Sequence, residues 1–155
     1  MADRLVGHPA VAQARGLTPA DKRFLATIIH QVWRHCQVFV TLAVERSPEE
    51  AYDALEELAE WATAQRSTLS PASRRPRGLT PVGRRVGREL LDDVDTFCHA
   101  IGEMVAGLQV SGLDPDEVEE EVLAIIEGFV GWTRLMAAQL GLARNLRPHT
   151  LWFDR

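Results

Sequence analysis

At four places a proline directly follows a residue that can cap a helix and an amphipathic stretch comes next, and these four steps constrain the fold of this chain more than any other feature. They are Thr18-Pro19, Ser47-Pro48, Thr80-Pro81 and Asp114-Pro115. The side-chain oxygen of the first residue can accept a hydrogen bond from a backbone N–H of the first turn. Proline is tolerated next because a donor at that position would have no partner inside the helix. Each step therefore predicts a helix start.

Amphipathic patterns after these steps predict helices over residues 19–46, 48–65, 81–110 and 115–140. Glu50 and Glu117 lie three residues after Ser47 and Asp114, which is the spacing of a capping box. Apolar residues recur every three or four positions, as on a helix that buries one face. No strand pattern competes convincingly. The expected fold is all-α, an up-and-down bundle of four main helices.

A chain of 155 residues is the size of one domain. We divide it into an N-terminal segment (1–17), a first helical hairpin (18–65), a basic connector (66–79), a second hairpin (80–140) and a C-terminal tail (141–155). The connector contains several serines and prolines, which are typical of an irregular loop. We expect this connector to be mobile.

A short repeat links the two predicted hairpins. The segment Gly16-Leu17-Thr18-Pro19 recurs as Gly78-Leu79-Thr80-Pro81, and a cysteine follows each threonine by eighteen residues, at Cys36 and Cys98. A duplicated hairpin would explain this shared register. Chance resemblance would explain it too, because helix starts draw on few residue types. The sequence leaves both explanations open.

Composition places the chain among ordinary globular proteins, with 46% hydrophobic and 25% charged residues. The longest apolar run, residues 38–44, is far shorter than the roughly 20 residues that span a bilayer. The first fifteen residues lack the apolar block of a secretory signal. The two cysteines form no CxxC motif. We expect a cytoplasmic protein with reduced thiols and no membrane partner.

Four residues on or beside the inward-facing stripes could line an apolar ligand cavity. They are Trp33, Cys36, Cys98 and Trp132. Core packing is the competing interpretation for all four. The dipeptides His35-Cys36 and Cys98-His99 suggest zinc, but neighbouring residues on a helix point about 100° apart and rarely reach one ion. We predict no metal and no cofactor.

The chain contains no Glu-x-x-His pair of the kind that builds dicarboxylate metal sites in helical bundles. It also contains no nucleophile motif and no phosphate-binding glycine loop. We assign no catalytic residues. An enzyme is therefore the less favoured class.

Residues 66–88 hold seven arginines and no acid. Six of them form a candidate anion-binding site at the start of the third helix: Arg74, Arg75, Arg77, Arg84, Arg85 and Arg88. Arginine side chains beside a helix N-terminus could bind phosphate or carboxylate groups. Alternatively, acids of the second and fourth helices could pair with them in the fold or in a partner subunit. The net charge of −5 argues against nonspecific nucleic-acid binding by the whole surface.

These observations favour a noncatalytic interaction or regulatory protein, and specifically a homodimer that buries the apolar residues 38–44. One alternative is a bundle that binds a small molecule, metal or cofactor near Trp33, Cys36, Cys98 and Trp132, and this alternative includes an enzyme. A further alternative is anion or nucleic-acid binding through the arginines of residues 74–88.

Overall fold

The computed structural model describes residues 15–45, 48–70, 72–74, 76–112, 114–142 and 145. These residues form four α-helices and no strand: α1 (Pro19–Val44), α2 (Pro48–Thr68), α3 (Pro81–Ser111) and α4 (Pro115–Gln139). The predicted all-α class is confirmed. The largest difference in helix length is at α2, which runs to Thr68, so the connector begins at residue 69 and not at residue 66. In the described part of the chain, no helix is both long and apolar enough to span a bilayer.

Each helix packs against its neighbours in the chain, and α1 also packs against α3 and α4. These contacts fit an up-and-down bundle. All four helices contribute to one hydrophobic core. Because α3 packs more extensively against α2 than against α4, the two predicted hairpins share that core and do not form separate units.

Three of the predicted helix starts are capped as the sequence indicates. Thr80 Oγ1 accepts a hydrogen bond from the backbone N–H of Gly83 at 3.1 Å. At the start of α4, Asp114 Oδ1 accepts from the N–H of Asp116 at 3.1 Å, and Glu117 Oε2 accepts from the N–H of Asp114 at 3.3 Å. The Asp114 side chain also accepts from the backbone N–H of Glu117, and this bond and the Glu117 side-chain contact together form a capping box. The third start is Thr18, described below, and the predicted cap at Ser47 lies outside the described residues.

The connector between α2 and α3 is tied to the bundle at both ends. Leu69 is fully buried in the core, and Ser73 N–H donates to the carbonyl of Ser70 at 2.9 Å in a tight turn. Further along, Arg84 Nη2 donates to the carbonyl of Pro76 at 2.9 Å. These contacts hold a segment that its composition alone would class as a free loop.

Candidate functional site

The starts of α1 and α3 meet at a single carboxylate, Asp21, whose side chain is fully buried. Its Oδ2 accepts from the backbone N–H of Thr18 at 3.0 Å, while Thr18 Oγ1 accepts from the N–H of Asp21 at 3.2 Å. This reciprocal pair is a capping box with aspartate as its acid. Asp21 also accepts from the backbone N–H of Thr80 at 2.9 Å and from the Thr80 hydroxyl at 2.6 Å. One side chain therefore serves two helix starts.

Burial raises the pKa of Asp21, but hydrogen bonds from Thr80 and Thr18 outweigh this effect and hold the pKa below its usual value. Asp21 is therefore a carboxylate at neutral pH. It lies at two helix N-termini, where a negative charge is favourable. The sequence predicts a site for an external anion at the N-terminus of α3. In the structure the carboxylate of Asp21 already lies at this helix end.

Gly83 makes room for this arrangement. A Cβ at this position would overlap the Asp21 carboxylate, since it would lie far inside van der Waals contact of Oδ1. When the two Gly-Leu-Thr-Pro segments are aligned, Gly83 falls opposite Asp21. The Thr-x-x-Asp spacing from Thr18 to Asp21 is the sequence signal for the cap of α1. No local pattern shows that Thr80 lies beside Asp21, because the two residues are far apart in the chain.

Cys36 and Cys98, the two matched cysteines, are buried free thiols in the shared core. Burial raises the pKa of the Cys36 thiol to about 12, and the nearby Cys98 adds to the rise. Burial, followed by the charge of Asp95, raises the pKa of Cys98 to about 12 as well. Both groups are protonated at neutral pH and are poor nucleophiles or metal ligands there.

The other two candidate ligand residues, Trp33 and Trp132, are also buried. Trp132 belongs to an aromatic stack, in which Phe129 lies 5.2 Å from Trp132 and 3.8 Å from Phe97 between ring centroids. The interior cavity beside Cys36 has a volume of about 10 Å³, which is room for one water molecule. The described residues contain no cluster of three or more side chains able to hold a metal ion.

The arginines of the predicted anion site differ in their contacts and in their exposure to solvent. Arg84 is occupied with the Pro76 carbonyl, and Arg75 lies outside the described residues. Arg74, Arg77 and Arg85 are exposed, and Arg88 is partly buried. Among the described residues, no ion pair forms at Arg74, Arg77, Arg85 or Arg88. An ion pair does form between Arg66 Nε and Asp92 Oδ1 at 2.8 Å, linking α2 to α3.

An open groove of about 510 Å³ lies at this end of the bundle, between α1, the end of α2 and the connector. It is lined by Phe24, Gln65, Thr68, Pro76 and Arg77. The exposed surface of the groove is mainly apolar, and Arg77 supplies a positive charge at its edge. This recess is the candidate docking site of the described surface.

Charge is unevenly distributed along the bundle axis. The end where α1 and α3 begin, which we call the basic end, exposes Arg15, Arg23, Arg66, Arg74, Arg77 and Arg85. The end where α2 and α4 begin, which we call the acidic end, exposes Glu49, Glu50, Asp53, Glu56, Glu57, Asp114, Asp116, Glu117, Glu120 and Glu121. Acids in first turns suit the positive ends of α2 and α4, and the described part of the chain therefore has two electrostatically opposite ends.

No protein-family model matches the chain, and neither the curated proteins nor the solved structures contain a significant match.

Proposed function

We propose that this protein is a noncatalytic interaction or regulatory module that acts as a homodimer. The observation that carries the proposal is the filled interior around Cys36 and Cys98. Both thiols are protonated at neutral pH, and the adjoining cavity of about 10 Å³ is far smaller than a ligand pocket. The buried carboxylate of Asp21 is engaged by two helix caps. These features favour a function located on the surface.

The homodimer is supported by Val38 on α1. It is 51% exposed and is the one large hydrophobic side chain in the described part of the chain with such exposure. Its neighbours Val40, Ala43 and Val44 belong to the apolar run, although their side chains lie outside the described set. We further propose a cytoplasmic location, because two free thiols suit a reducing compartment.

Sedimentation velocity from about 1 μM to about 100 μM tests the homodimer, since a dissociation constant in this range is typical of a modest interface. We expect a dimer whose fraction rises with concentration, and a native mass with no bound molecule. A monomer throughout would contradict the homodimer. A bound metal or small molecule in the purified protein would instead favour the cofactor-binding alternative near Trp33, Cys36, Cys98 and Trp132.

Anion binding by the basic end is a second candidate, favoured by the exposure of Arg74, Arg77 and Arg85. Binding of DNA or RNA through these groups would weaken steeply with added salt. Absent or salt-insensitive binding to short oligonucleotides would remove this candidate.

A further inference from the structure

The groove at the basic end is lined by Phe24 of α1, and the same helix exposes Val38. We infer that the homodimer is antiparallel and twofold symmetric, with Val38 of each copy seated in the groove beside Phe24 of the other. This inference rests on the proposed homodimer and specifies how it forms. The surface involved, which we call the α1–α2 face, comprises Phe24, Gln31, Val38, Glu57, Thr68 and Arg77.

Helix geometry places the recess and the exposed valine on one side of α1. Phe24 lines the groove, and Val38 lies fourteen residues later and is half exposed. At 100° and 1.5 Å per residue, the two positions point within about 40° of each other and lie about 21 Å apart along the helix. The same face therefore carries an apolar recess at one end and an apolar protrusion at the other.

A twofold axis crossing α1 at its middle would pair these two features reciprocally. Gln31 lies seven residues from both Phe24 and Val38, so an axis at Gln31 brings Val38 of each copy opposite Phe24 of the other. The amide of Gln31 has donors and acceptors that can bond to its own counterpart. Such an interface uses the same patch on both subunits and closes at two copies.

Charges on the same face favour the antiparallel orientation. Arg77 is exposed at the edge of the groove. Burial lowers the pKa of His35, and the nearby charge of Glu57 opposes this shift without reversing it. Glu57 is exposed on α2 beside this histidine. Glu57 and Thr68, which also lines the groove, differ by about 20° around α2 and about 16 Å along it. An axis at Gln31 therefore brings Arg77 of one copy toward Glu57 of the other.

A parallel pairing would instead place each charge against its own counterpart, which is unfavourable across an interface. A nucleic acid would pair with Arg77 but would leave Val38 exposed and would lie near Glu57 of the α1–α2 face. The second copy supplies both an apolar group for the recess and a carboxylate for Arg77. It is the occupant that uses every feature of this face.

Disulfide cross-linking of two single-cysteine additions tests the inference. Both positions are on the face, and the native thiols contribute little background because they are buried. Under mild oxidation, Gln31→Cys should give a covalent dimer, since the two added thiols meet at the axis. Val38→Cys should stay largely uncross-linked, because its counterpart would lie about 21 Å away. Circular dichroism checks that both variants keep the helical fold.

The outcomes separate the inference from the proposed homodimer. Efficient cross-linking of Val38→Cys would overturn the antiparallel arrangement, and a wild-type dimer with no cross-linking at Gln31→Cys would place the interface elsewhere. Both results would leave a homodimer in place. A wild-type monomer in sedimentation would contradict the proposed function itself and, with it, this inference.

Discussion

At the scale of single residues, the matched helix starts are equivalent in backbone and different in chemistry. Gly16 and Gly78 both have positive φ, at 96° and 83°, so the two segments turn alike before their threonines. Three residues after each threonine, however, one copy has Asp21 and the other has Gly83. A carboxylate at both positions would place two charges and two side chains in the space of one. The difference lets Asp21 serve both caps.

Gly83→Ala should destabilise the protein by about 1 to 3 kcal/mol, the usual cost of forcing extra volume into a packed site. The added methyl group would displace the Asp21 carboxylate and weaken its bonds to Thr80. Urea unfolding followed by circular dichroism measures the change.

Gly107→Ala is the matched control for this substitution. It lies in the same helix, and a Cβ there would meet no atom within 4 Å, so it should be neutral or stabilising by up to about 1 kcal/mol. The cost of Gly83→Ala should also shrink when Asp21 is first changed to Ala. An unchanged cost in that background would show that the clash with Asp21 is not its cause.

At the scale of elements, the helices were predictable because capping and amphipathic periodicity are local properties. Thr80 and Asp114 cap their helices through residues two or three positions away. The junction between the starts of α1 and α3 was not predictable in this way, since it depends on the contact of Thr80 with Asp21, which are 59 residues apart. The groove beside Phe24 and Arg77 likewise exists only after α2 and the connector have packed onto α1.

Cys36 on α1 and Cys98 on α3 are both buried. Ionisation of both thiols at alkaline pH should lower the free energy of unfolding. Both folded-state pKa values are about 12, whereas an unfolded thiol ionises near about 8.5. The unfolded state therefore loses its thiol protons first as pH rises. The stability contribution is fully present below pH about 8.5 and is lost progressively toward pH about 12.

Urea unfolding at pH values of about 8 and about 10 measures this loss. A Cys36→Ala, Cys98→Ala double variant is the control, because it lacks both thiols and should lose less stability over the same interval. Equal losses in the two proteins would mean that the thiols are not the groups responsible.

At the scale of the whole molecule, the arrangement combines a filled interior with opposite charges at its two ends. The sequence revealed the arginine cluster but not its relation to the acids, because that relation depends on which helix ends lie together. Asp21 joins the starts of α1 and α3, and Phe24 shares the groove with the end of α2. Arginines thus gather at one end, while the acid-rich first turns of α2 and α4 lie at the other.

The most direct test of this account is the dimer dissociation constant of a charge-swap series, measured by sedimentation equilibrium. Arg77→Glu and Glu57→Arg each replace one partner of the inferred intermolecular pair, and each should weaken the dimer through like-charge repulsion. The double variant should recover much of the wild-type affinity, since it restores opposite charges across the interface. Within one copy Glu57 lies about 16 Å along α2 from Thr68, which lines the groove together with Arg77, so recovery would report contact between copies. A double variant no tighter than either single variant would contradict the antiparallel dimer.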